Sequence, residues 1–150
     1  MRLTKGITGI DSAHLIEQEL QTFQGMAYPL VTSMPQAKVV QYGDDPSNVY
    51  MSATIQIDEE SLIILHHRYM PYVAFAENRG DATFHFLTKP HLHKFFPMRK
   101  CLEATDLNTL IEQDQQLHSL SEKEWEYVKK YHCTTIGEVL FNQRNGKENP

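Results

Sequence analysis

Residues 49–57 read VYMSATIQI, and this alternation decides the fold class. All the odd-numbered residues are apolar, whereas the even-numbered residues after Tyr50 are Ser, Thr and Gln. Successive side chains of an extended chain point to opposite faces, so a period of two predicts a β-strand with one buried face and one polar face. Half-buried strands of this kind are typical of antiparallel sheets.

Four other short segments with strand-like composition flank this strand, separated by residues that favour turns. They are residues 37–42, 62–68, 72–77 and 82–88, with a hairpin connection expected at 78–81. Strands that short turns connect run side by side in opposite directions. The sequence therefore predicts an antiparallel meander of four to five strands.

Apolar residues at helical spacing precede this sheet region. Asp11 or Ser12 is expected to cap an N-terminal helix that runs to about Phe23, because the apolar residues between them fall on one stripe. Gly25 is expected to end the helix, since glycine tolerates the left-handed conformation common at helix ends. The following segment, residues 26–36, contains two prolines and is predicted to be irregular.

Two to three helices are predicted after the sheet. Thr105 or Asp106 can cap the first, and the patterns SEKE at 121–124 and TIGE at 135–138 predict capping boxes that open two more. Helices and strands are thus segregated along the chain. This order predicts an α+β fold with helices packed on one face of the sheet.

The composition indicates a globular protein, with 41% hydrophobic and 22% charged residues in a chain of 150. This length suits a single α+β domain, predicted over residues 1–142. Residues 143–150 contain no apolar side chain and are predicted to form a disordered tail.

Charge and hydropathy exclude several classes of partner. The net charge of −5 argues against nucleic acid, which is bound by clustered lysines and arginines. Apolar runs such as residues 62–65 are far too short to cross a membrane. The two cysteines form no C-x-x-C motif, and a reducing cytoplasm is the expected location.

A histidine cluster is the strongest candidate for metal chemistry. The candidate ligands are His85, His91 and His93, since two imidazoles two residues apart point to the same side of an extended segment. Zinc is the metal that such nitrogen ligands suggest. His66 or His67 is an alternative third ligand, although these adjacent residues should point to opposite faces of a strand.

Other catalytic arrangements have weaker support. The neighbours His132 and Cys133 suggest a nucleophile and base, but no family signature surrounds them, and a buried inert thiol is the simpler interpretation. The acidic clusters at 44–45 and 58–60 lie in predicted turns, where carboxylates are solvated. No catalytic residue is therefore predicted.

Aromatic side chains suggest a binding function instead. Tyr50, Tyr69, Tyr72 and Phe75 are predicted to form an interaction surface, because strand residues of both parities cannot all face one layer of helices. The leading hypothesis is a non-enzymatic domain without a cofactor that binds a protein partner or itself, as inhibitor, immunity or adaptor proteins do. The alternative is a metal-binding protein or metal-dependent hydrolase that uses zinc at the histidine cluster.

Overall fold

The computed structural model describes residues 1–77, 83–111 and 118–142. Within these ranges, an N-terminal helix precedes an antiparallel sheet and C-terminal helices follow it, so the predicted α+β class is confirmed. The helices are α1 Leu20–Thr32, α2 Ala104–Leu107, α3 Glu122–Lys130 and α4 Ile136–Leu140, with a 3₁₀ helix at Pro90–Phe95. The strands are β1 Ala37–Gly43, β2 Tyr50–Ile57, β3 Glu60–His67, β4 Tyr72–Glu77, β5 His85–Leu87 and β6 Lys100–Cys101.

The sheet is a meander in which β1 to β5 lie side by side in chain order, each antiparallel to the next. The short strand β6 pairs in parallel with the first two residues of β4, and β5 pairs with the last three. A bulge between Val39 and Gln41 interrupts the pairing of the edge strand β1 with β2. Bulges of this kind protect sheet edges from pairing with other chains.

The sheet is covered on both faces. Met51, Ala53 and Ile55 of β2 belong to a core formed with α1 and the 3₁₀ helix, whereas Tyr50 belongs to a second core on the other face. The alternation predicted for residues 49–57 is therefore present. The second core contains side chains of the C-terminal helices and of the first residues of the chain, including Leu3.

The N-terminal helix differs from the prediction in its position. Residues 11–19 form turns and extended backbone, and Ile16 is 84% exposed, so this residue is not part of a buried helical stripe. The helix instead begins at Leu20 and continues through Gly25 and Pro29 to Thr32. Its buried stripe is Phe23, Ala27 and Leu30, and this packing outweighs the helix-breaking tendency of glycine and proline.

Helices α3 and α4 begin where predicted, whereas α2 has Glu103 as its N-cap, so the expected caps Thr105 and Asp106 lie inside that short helix. Ser121 and Glu124 form a complete capping box at the start of α3. At α4, the Thr135 hydroxyl accepts a hydrogen bond from the Glu138 amide, but the Glu138 carboxylate accepts from threonine hydroxyls instead of closing a box. The hairpin connection 78–81 and the tail 143–150 lie outside the described residues.

Candidate functional site

The adjacent histidines at the end of β3 have structural roles. His67 is completely buried, and its Nε2 donates a hydrogen bond to the Ile7 carbonyl oxygen at 2.7 Å. Its Nδ1 accepts from the amides of Tyr69 and Met70, both at 3.1 Å. Burial lowers the pKa of His67 to about 3, so the ring is neutral and both nitrogens are occupied.

His66 points to the opposite face of the sheet, as expected for adjacent strand residues. Its ring packs edge-on against Phe23 of α1, whereas the His67 ring contacts Phe141 in the other core. Its Nδ1 donates to the His67 carbonyl oxygen at 2.7 Å, and its Nε2 accepts from Nε of Arg99 at 3.3 Å. Burial lowers the pKa of His66 as well.

Arg68 extends this set of buried polar groups. Its side chain is nearly inaccessible, and Nη1 donates to Asp44 Oδ1 at 2.8 Å and to Glu17 Oε1 at 3.3 Å. The other guanidinium nitrogens donate to the carbonyl oxygens of Asn48, Asp45 and Tyr50. The planar fork of arginine therefore fixes the turn between β1 and β2.

Glu124 is a fully buried carboxylate with four donors. It accepts hydrogen bonds from the amides of Gly6 (3.0 Å), Thr8 (3.2 Å) and Ser121 (3.2 Å), and from the Thr8 hydroxyl (2.7 Å). The same side chain thus closes the capping box of α3 and anchors the first residues of the chain. We call His66, His67, Arg68, Glu124 and residues 6–8 the buried polar network.

The histidines predicted to bind metal are divided between two elements, and His85 lies in β5. His91 and His93 lie in a 3₁₀ helix, not in an extended segment, so residues two apart point in different directions. His91 is exposed, whereas the His93 ring stacks on Phe75 with its Nε2 buried and without a partner among the described residues. No group of three or more His, Cys, Asp or Glu side chains within residues 1–77, 83–111 and 118–142 is arranged to hold a metal ion.

The four aromatics predicted to form a surface are divided between the interior and partly exposed positions. Phe75 is completely buried under the 3₁₀ helix, and Tyr50 is only 9% exposed in the opposite core. Both are therefore core residues. Tyr69 and Tyr72 are half-buried, and both rings lie edge-on against His67. The layers on the two faces of the sheet therefore cover two of the four residues predicted to form the interaction surface.

Neither cysteine has the setting of an activated nucleophile. Burial raises the pKa of the Cys101 thiol to about 11. Cys133 is buried, and its Sγ accepts a hydrogen bond from Nδ2 of Asn142 at 2.8 Å, whereas the neighbouring His132 is exposed. The simpler interpretation of Cys133 as a buried thiol fits this placement.

A concave site lies at the opposite end of β3, where no prediction placed one. It is a depression of about 390 Å³. Its apolar lining is formed by Met34, Ile57, Leu62, Leu87 and Leu92. Its polar residues are Glu59, Glu60, Ser61, Glu77, Lys89 and His91. We call this depression the acidic cup.

The sheet register explains why these groups meet. Glu77 ends β4 opposite His85 of β5, two residues beyond the pair formed by Phe75 and Leu87. Side chains two residues apart share a face, so Glu77 lies on the same face as α1 and the 3₁₀ helix. Glu59 and Glu60 reach this end through the tight turn between β2 and β3, in which Asp58 has a positive φ of 55°.

Sequence reasoning missed the acidic cup and the role of Glu124. The cup combines side chains from separate segments of the chain, and their proximity depends on strand order, which the sequence left open. For Glu124 a partial signal existed, because the capping box pattern identifies its bond to Ser121. Its bonds to Gly6 and Thr8 span more than 110 residues and had no local signature.

Comparison with known proteins gives no relative. No family model matches the chain, and neither a curated protein nor a solved structure shows significant similarity to it. No helix within the described ranges is both long and apolar enough to cross a lipid bilayer. The case for a function therefore rests on the chemistry of the site.

Proposed function

We propose that this protein is a non-enzymatic binding domain that holds a basic segment of a protein partner in the acidic cup. The observation that carries this proposal is the combination of an apolar lining with three carboxylates around one depression. Lysine and arginine side chains have an apolar stem and a cationic head, so they match both parts of such a site.

Charge supports a basic ligand over an acidic one. Among the residues that the structure describes, three glutamates and a single lysine, Lys89, line the cup, and Asp58 in the adjoining turn adds another carboxylate. The net charge of the whole chain is −5. A cleft with an excess of one sign of charge attracts and orients partners of the opposite sign.

A binding role also fits the way in which the reactive side chains are used. His66 and His67 hold backbone and side-chain partners with both ring nitrogens, and Cys101 is kept protonated by burial. These side chains therefore make their contacts inside the protein. The cup, in contrast, offers the exposed carboxylates of Glu59 and Glu60.

The proposal can be tested by NMR on the ¹⁵N-labelled full chain, with the tripeptide acetyl-Lys-Leu-Lys-amide as the probe and acetyl-Glu-Leu-Glu-amide as its acidic counterpart. The basic peptide should shift the amide signals of residues 59–62 and 87–92 at low millimolar concentration, the affinity expected for a small probe. The acidic peptide should leave these signals unchanged.

Charge reversal in the cup gives the decisive comparison. The Glu59→Lys/Glu60→Lys variant should lose the response to the basic peptide. The matched control Glu19→Lys/Glu126→Lys makes the same charge change at exposed positions outside the cup and should keep the response. The proposal is wrong if the wild-type signals do not move, or if the shifts persist unchanged after charge reversal in the cup.

A further inference from the structure

Met98 is the most exposed of the large hydrophobic residues that the structure describes, at 92%. It also has a positive φ of 61°, a left-handed conformation that residues other than glycine, asparagine and aspartate rarely adopt. An exposed apolar side chain in a disfavoured backbone conformation is held there by its surroundings. Such outliers occur preferentially at functional positions.

Basic residues surround Met98, and hydrogen bonds hold its neighbours in place. Lys94 and Lys100 are exposed on either side, and we call residues 94–100 the basic loop. The Arg99 side chain is bound to Nε2 of His66, and the Lys100 amide donates to the Pro71 carbonyl oxygen at 2.8 Å. Because these hydrogen bonds already hold the loop in place, its backbone does not have to become ordered when Met98 binds a partner.

Met98 and Lys100 lie near the start of β4 and the acidic cup lies at its end, whereas Lys94 is only two residues from Leu92 of the cup lining. Lys100 pairs with Tyr72, the first residue of β4, whereas Glu77 at the cup is the last. Five residue steps at about 3.3 Å each separate these two ends by about 17 Å along the strand. Met98 and Lys100 are therefore too far from the cup of their own copy to enter it, but they can enter the cup of a neighbour.

We propose that the occupant of the acidic cup is the basic loop of a second copy of this chain. This inference rests on the proposed function, because it assigns the partner of the same site. Met98 fills the apolar lining, and Lys94 and Lys100 face the carboxylates of Glu59 and Glu60. In the proposed arrangement the copies join head-to-tail, and each added copy leaves one free loop and one free cup.

Sedimentation equilibrium of the full chain tests this association. The mass of the wild-type chain should rise above the 17.4 kDa of one copy as the concentration increases. Met98→Asp in the loop and Glu59→Lys/Glu60→Lys in the cup should each weaken association at least tenfold. Aspartate tolerates the left-handed conformation, so Met98→Asp should fold normally, which circular dichroism can verify. Ile16→Asp, at another highly exposed apolar position, is the matched control and should associate like the wild type.

Mixing the two defective variants tests whether the loop of one copy enters the cup of another. Met98→Asp retains its cup and Glu59→Lys/Glu60→Lys retains its loop, so an equal mixture should form pairs and nothing larger. A mixture that stays monomeric, or a Met98→Asp variant that associates like the wild type, would overturn the inference. A monomeric wild-type chain whose cup still responds to acetyl-Lys-Leu-Lys-amide would refute self-association and leave the proposed function standing.

Discussion

Strand β3 begins at the acidic cup with Glu60 and ends in the buried polar network with His67. At the network end, polar groups are buried and paired with other parts of the chain, so they hold the fold together. At the cup end, the carboxylates of Glu59 and Glu60 are exposed beside an apolar lining. Residues of similar polarity thus serve stability at one end and a proposed binding role at the other.

The largest expected effect comes from removing the central carboxylate of the network. Glu124→Ala leaves the buried amides of Gly6 and Thr8 without an acceptor, and each unsatisfied buried donor costs about 1–3 kcal/mol. With the lost capping box, we expect the free energy of unfolding to fall by about 3–5 kcal/mol in urea denaturation. The exposed neighbour Glu122→Ala is the control and should cost less than about 1 kcal/mol. Equal losses in both variants would contradict the assigned role of Glu124.

Acid pH should lower the free energy of unfolding through His67 in the buried polar network. Its pKa is about 3 in the folded chain and about 6.5 when unfolded, so below pH 6.5 the unfolded state binds a proton that the folded state excludes. Stability therefore falls as the pH decreases from 6.5 towards 3. Between pH 6.5 and 4.5 this ring alone should cost about 2 kcal/mol, because the slope rises to 1.36 kcal/mol per pH unit only once the unfolded ring is fully protonated. The lowered pKa of His66 acts in the same direction.

Urea denaturation at several pH values measures this effect. His67→Gln removes the titrating ring while its amide can still donate to the Ile7 carbonyl oxygen, so the variant should show a flatter decline of stability below pH 6.5. A decline as steep as that of the wild type would show that His67 is not its source.

A smaller loss is expected from Gly6→Ala in the same network. Gly6 has a φ of 95°, and an added Cβ would lie 2.7 Å from Cδ1 of Leu15 and 3.3 Å from the Asp11 carbonyl oxygen. Backbone strain and overpacking together should lower the free energy of unfolding by about 2 kcal/mol. Gly25→Ala is the matched control, because its Cβ meets nothing within 4 Å in α1, and it should be neutral or slightly stabilising. A similar loss at both glycines would argue against a special role for Gly6.

The smallest stability change should accompany charge reversal in the cup. Glu59→Lys/Glu60→Lys replaces exposed side chains, and surface substitutions of this kind usually stay within about 0.5 kcal/mol. Thermal unfolding should therefore leave Tm nearly unchanged while binding of the basic tripeptide is lost. A large drop in Tm would mean that this end of β3 also supports the fold.

The sequence was informative where local periodicity decides the structure. The alternation in β2 and the opposite directions of His66 and His67 follow from the pleat of a strand, and both are present. The sequence analysis did not predict that both faces of the sheet are covered. The unbroken apolar run at 62–65 in β3 was the available signal, since such runs are typical of strands buried on two sides. The position of α1 was wrong because Gly25 and Pro29 were given more weight than the buried stripe.

The candidate site could not be predicted from local sequence patterns, because it depends on contacts between distant segments. His91 was singled out as a metal ligand and lies at the cup, but as one polar residue among carboxylates from distant segments. The exposed setting of Met98 likewise depends on how Arg99 is bound to β3. Neither the spacing of residues nor their composition specifies such contacts before the strand order is known.

The dual role of Glu124 has a consequence for how the chain folds during synthesis. Its partner Gly6 precedes it by 118 residues, so the Gly6 amide has no carboxylate acceptor until residue 124 has been synthesised. Contacts of such long sequence separation form late and slow the final step of folding. The segment around Gly6 should therefore remain open to proteases in the nascent chain until α3 is complete.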